Sequence, residues 1–137
     1  MISINEGITQ SMFATENKLI PFYTSKGDAE IFMLFPYLYN RLGEWVGWVT
    51  PEKEVYSVLG IYVGYISNDH RIFRQRYIEI SKPDLIPPSQ PARVMPPATI
   101  PLAPLMKEYL YSTMDVLLEE PGLLHTLDSG EFKKDLD

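Results

Sequence analysis

The chain contains no cysteine, which excludes disulfides, thiolate nucleophiles and Cys-ligated zinc together and fits a cytoplasmic setting. Histidine is almost as scarce. Only His70 and His125 occur, and a metal site would have to recruit distant carboxylates at no recognisable ligand spacing, so neither metal nor cofactor is expected. No window approaches the ~18 apolar residues of a membrane span, and "MISINEGITQSMF" lacks the basic and apolar regions of a signal peptide. A membrane is therefore not an expected partner. Basic charge is sparse as well: the net charge is -6, and the one local cluster, Arg71, Arg74 and Arg76, is diluted by Asp69 and Glu79. Nucleic acid, which needs clustered Lys and Arg, is not an expected partner either.

Catalytic constellations are missing too. There is no G-x-S-x-G elbow, phosphate-cradling glycine loop or H-E-x-x-H. Asp69 and His70 lie close to Ser67, but neighbours in one turn seldom converge on a shared reacting atom, and "SND" reads better as turn chemistry. No catalytic residue is assigned, and an enzyme ranks below a binding or scaffold role.

What the chain does have is a repeat. "LYNRLGEWVGWV" at 38–49 returns 17 residues later as "VYSVLGIYVGYI" at 55–66. Phe22, Tyr39, Tyr56 and Phe73 fall in the same register, giving four units over roughly 20–82. Seventeen residues suit a β-hairpin of two short strands, with Gly43 and Gly60 supplying the positive φ of a tight turn. The β-branched and aromatic runs "WVGWV" and "YVGYI" are strand composition. Strict alternation puts Trp45, Gly47 and Val49 on one face and Val46 with Trp48 on the other. Gly47 and Gly64, inside strands, predict a close approach, with a neighbouring aromatic ring lying across the missing side chain.

These residues resemble the 4-fold β-flower family, in which four hairpins with a Y-x-x-x-G-x-x-V-G-[WY]-[VI] pattern surround a pseudo-four-fold axis. The matching positions are Tyr39, Gly43, Val46, Gly47, Trp48 and Val49, then Tyr56, Gly60, Val63, Gly64, Tyr65 and Ile66. The resemblance covers 20–82 and implies a fold; it carries no established activity.

Beyond the repeat, residues 83–104 hold eight of the twelve prolines. Proline fixes φ and cannot donate to a ladder, so this is an extended connector. Its interleaved Leu85, Ile86, Val94, Met95, Ile100 and Leu102 are expected to be buried on the hairpins, while "PPSQP" offers a P-x-x-P alternative for a peptide-recognition partner. The stretch 105–120 reads as one helix between Pro104 and Pro121 with a broad apolar arc. Leu110, Tyr111, Met114, Leu117 and Leu118 on it form a candidate interface, predicting a homo-oligomer. An acidic tail follows.

The expected organisation is one structural unit: a hairpin-repeat domain at 1–82, a proline-rich connector at 83–104, and a C-terminal helix with tail at 105–137. The fold class is mainly β. Function is expected to be a non-enzymatic interaction or scaffold module that self-associates. The alternative is a small-molecule or peptide binding domain using the aromatic cluster Tyr39, Trp45, Trp48, Tyr56, Tyr62 and Tyr65.

Overall fold

A computed structural model describes residues 18–77 and 82–128. It is mainly β. Eight strands follow one another as an antiparallel meander: β1 (Ile20–Tyr23), β2 (Ala29–Leu34), β3 (Tyr37–Tyr39), β4 (Trp45–Val49), β5 (Glu54–Ser57), β6 (Tyr62–Ile66), β7 (Ile72–Gln75) and β8 (Thr113–Asp115). A four-residue helix, α1 (Val116–Glu119), follows β8 directly, capped at its start by the Asp115 side chain. The N-terminal 17 residues and the acidic tail beyond 128 lie outside the described residues.

The sheet curls into a half-barrel, and its two ends are tied together by polar contacts. Tyr23 N donates to His70 O at 2.8 Å. Arg71 Nη1 donates to Ser25 Oγ at 2.9 Å, and Ser25 Oγ donates to Asp115 Oδ2 at 2.5 Å. Arg71 and Asp115 are both buried, so each needs these partners. Arg71 also pairs with Asp69, reaches Lys107 O at 2.7 Å, and lies over the Phe73 and Tyr109 rings.

The concave side holds the main core: Phe22, Leu38, Val55 and Ile72 from the odd-numbered strands, then Val46, Val63, Val116 and Leu124. Leu38, Val55 and Ile72 are fully buried, each worth roughly 1.5–3 kcal/mol. A β-bulge recurs between Phe22 and Tyr23, Leu38 and Tyr39, and Val55 and Tyr56. The bulge corrects the alternation expected from sequence. It resets the parity of the facing strand, so that Val46 and Val49 both reach the main core while Trp45 and Trp48 share a second cluster with Tyr39 and Val58.

Gly47 and Gly64 do mark close approaches, though not to aromatic rings. A Cβ at Gly47 would lie 2.6 Å from Tyr56 O, and one at Gly64 would lie 2.2 Å from Phe73 O. What crosses the missing side chain is the backbone of the next strand. Leu124 also inserts a methyl group at Gly47, which seats the C-terminal segment in the core.

The long helix expected over 105–120 is not present. Thr113–Asp115 instead pair with β7 in the register Gln75↔Thr113, Arg74↔Met114 and Phe73↔Asp115, which leaves only Val116–Glu119 to turn helical. Helix propensity over a single short stretch is a weak preference, and the open edge of β7 offers backbone pairing that outweighs it. Tyr109 packs on Phe73 with ring centroids 5.1 Å apart, holding the preceding stretch against the sheet.

The proline-rich segment is extended and runs back past the hairpin turns. Leu85 N donates to Gly60 O at 2.9 Å, Val94 N to Gly43 O at 3.0 Å, and Tyr23 Oη to Pro101 O at 2.7 Å. The expectation that it buries its apolar side chains is corrected: Ile86, Met95 and Leu102 are each more than 80% exposed. Its backbone docks, and most of its apolar groups face outward.

Candidate functional site

One five-residue turn is used five times, at 24–28, 40–44, 50–54, 57–61 and 67–71. In each, the first residue's N–H donates to the fifth carbonyl, and the fourth N–H donates to the first carbonyl. The first residue also accepts on its side chain from the fifth N–H: Thr24, Asn40, Thr50, Ser57 and Ser67 all do so. This geometry places the fourth residue at positive φ, which is +90° at Gly27, +80° at Gly43, +68° at Lys53, +84° at Gly60 and +63° at His70.

Alternate connections of a meander lie at opposite ends. The turns holding Gly27, Gly43 and Gly60 are at the end crossed by the proline-rich strap. At Gly43 and Gly60 an added Cβ would fall 1.8 Å from Val94 O and 1.9 Å from Leu85 O, so only glycine fits under the strap. The opposite end carries the turns of Lys53 and His70 together with the cis Phe35–Pro36 bond.

That opposite end holds a cavity of about 500 Å³. Its apolar lining is Ile20 and Phe22 from β1, Met33 from β2, Val49 from β4 and Ile66 from β6, with Phe35 and Pro51 at the lip. The polar groups are Thr50, Lys53, Ser67, Asn68 and His70. An apolar body with a few polar groups at one side is the usual make-up of a small-molecule site, and the volume is in the usual range.

The polar rim is locally braced. His70 is stacked on Phe22 at 5.4 Å, and its Nδ1 lies 3.0 Å from Pro21 O. A carbonyl only accepts, so Nδ1 carries the hydrogen and Nε2 is the ring's accepting nitrogen when neutral. Asp69 is held by Arg71 and by Ser67 Oγ at 2.6 Å. The Arg71 hydrogen bonds, aided by Ser67, lower its carboxyl to about 2. Ser67 and His70 therefore serve different partners, and no nucleophile and base are paired there.

None of the six aromatic residues singled out in the sequence lines this cup. Tyr39, Trp45, Tyr56 and Tyr62 are buried, and Trp48 and Tyr65 are half-buried. Trp48 stacks on Tyr56 at 5.2 Å, Tyr56 meets Tyr62 edge-on at 5.7 Å, and Tyr65 meets Phe73 at 6.2 Å. Trp45 Nε1 donates to Gly47 O and Trp48 Nε1 to Ser57 O, so both indoles are engaged in holding strands. Burial of the Tyr39, Tyr56 and Tyr62 rings raises their phenol pKa values. Of the candidate interface residues, Leu110 and Tyr111 are well exposed, Met114 is half-buried on β8, Leu118 is exposed on α1, and Leu117 is buried in the core. They do not form one helical face.

Sequence reasoning missed Lys53 and most of the cup. The signal was present in the five T/N/S-x-x-[GKH]-x turns, whose fourth position is glycine three times and Lys or His twice.

Among known proteins, no family model, curated protein or solved structure matches this chain. Among the described residues, no group of His, Asp and Glu is placed to hold a metal ion, and no helix is long and apolar enough to cross a membrane.

Proposed function

We propose that this protein is a non-enzymatic binding module that takes a small molecule with an apolar body in the cup at the Lys53 and His70 end. The observation that carries this reading is the cavity of about 500 Å³, whose apolar walls come from β1, β2, β4 and β6. Such a site is preformed, because each wall residue sits on a strand and each rim residue on a turn fixed by its own hydrogen bonds. The reading treats the sheet as four hairpins about a common axis, in line with the β-flower resemblance. The fourth hairpin, β7 with β8, has its turn replaced by the strap. The recurring bulge and turn support this arrangement.

The test is a titration with a neutral apolar dye such as Nile red. Binding should be lost in Met33→Trp, which fills the cup from a half-buried wall position, while the fold is retained. Unchanged binding in that variant would sink the proposal.

A second reading is self-association through the strap. Ile86, Met95, Leu102 and Leu105 are each at least 86% exposed, more apolar surface than a lone connector needs to present. Native mass spectrometry of the wild type and of a variant with Ile86 and Met95 both changed to Ser tests it; a monomer in both cases rules it out.

A further inference from the structure

We infer that the ligand of the cup is an amphiphile with an anionic head, a medium-chain carboxylate, read by Lys53 and His70. This deepens the cup reading and rests on it. Three observations converge on it. The first concerns backbone conformation. Lys53 and His70 are the only non-glycine residues at positive φ among the described residues, and both line the cup. A side chain there costs about 1 kcal/mol relative to glycine, which the same turn uses at its three other occurrences. At Gly43 and Gly60 glycine is forced by the close packing of the strap, although Gly27 has room around it; at the cup end Lys53 keeps its side chain although glycine would be easier, while the His70 ring is also held by Phe22 and Pro21 O.

The second is charge. The chain is acidic overall, yet among the described residues no Asp or Glu lines the cup, while one Lys and one His do. The carboxylates nearby are already engaged: Asp69 with Arg71 and Glu54 with Lys82. Glu52 adjoins Lys53 in the chain but is not part of the lining. Lys53 makes no ion pair among the described residues. Among the described residues nothing competes with an external anion for its ammonium.

The third is the division of the lining. Ile20, Phe22, Met33, Val49 and Ile66 supply the apolar lining from the strands, while Thr50, Lys53, Ser67, Asn68 and His70 supply polar groups from the turns. An alkyl chain fits the apolar lining and a carboxylate fits the rim, where the Lys53 ammonium donates to it and His70 lines the same cavity.

The experiment is an NMR titration of the full chain with decanoate, decanol and decylammonium, following the amides of Val49, Thr50, Ile66 and Ser67. Decanoate should bind at least about tenfold tighter than decanol and decylammonium weakest. The preference should vanish in Lys53→Gly and reverse toward decylammonium in Lys53→Glu, while His70→Asn, which tolerates positive φ, should weaken it. Lys53→Gly keeps the turn conformation, so a loss of preference cannot be blamed on misfolding; its thermal midpoint is checked alongside. Equal binding of decanoate and decanol overturns the head-group assignment and leaves the cup standing. If no probe shifts the cup amides of the wild type, the cup reading falls and this inference with it.

Discussion

The two ends of the sheet are built from one turn and differ in what occupies its left-handed position. At the strap end Gly43 and Gly60 lie against the carbonyls of Val94 and Leu85, so the missing side chain is room for another part of the chain. At the cup end Lys53 and His70 keep side chains in the same backbone conformation and turn toward a cavity. Identical local geometry thus meets the strap's backbone at Gly43 and Gly60 and borders a cavity at Lys53 and His70. His70 also has a structural reason for its side chain, in Phe22 and Pro21 O, whereas Lys53 makes no ion pair among the described residues, and that difference is what supports the proposed binding role of this end.

The comparison is broken most severely at the strap end. Gly60→Ala should lower stability by about 3 kcal/mol, since positive φ and a collision with backbone add together, and denaturant unfolding would measure it. A loss below about 1 kcal/mol would mean the strap simply lifts away. Next comes the brace of the cup end. Asp69 is held at about 2 against an ordinary 3.8, so its contribution is present above pH ~4 and lost as pH falls through about 2. That contribution is about 2 kcal/mol, and Asp69→Asn should forfeit a similar amount at neutral pH and flatten the acid limb of the stability profile. The smallest effect has the opposite sign. Lys53→Gly should raise stability by up to about 1 kcal/mol, visible as a higher thermal midpoint, because it relieves the left-handed side chain. A destabilised Lys53→Gly would show that the lysine is held for structural reasons and would remove the contrast between the ends.

Much of the β architecture was legible in the sequence. The glycine-centred turns at 43 and 60 and the strands around them follow from propensity and turn chemistry. What escaped was longer in range. The bulges at Leu38/Tyr39 and Val55/Tyr56 leave no composition signal, yet they decide that Val46 and Val63 join the main core while Trp45 packs in a second cluster and Tyr62, also buried, lies outside both. The stretch 105–120 has good helical periodicity, and only knowledge of β7's unpaired edge redirects Thr113–Asp115 into the sheet. The aromatic cluster drew attention by its size, whereas the cup is lined by ordinary aliphatics whose meeting depends on the curl of the sheet. Lys53 in particular looks like an unremarkable charge in "PEKE" until its φ is known.

The wide separation of β7 from its partner carries a kinetic consequence. Every other strand pairs with one only a short turn away, but β8 begins at Thr113, long after β7 ends at Gln75. During synthesis the edge of β7 and the buried Arg71 therefore wait for the strap to be made before Asp115 can arrive through Ser25. Until then the nascent sheet presents an open edge of the kind that invites pairing with other chains. Pairing with Thr113–Asp115 covers that edge of β7, so the whole stretch between Gln75 and Thr113 has to be made before the edge is satisfied.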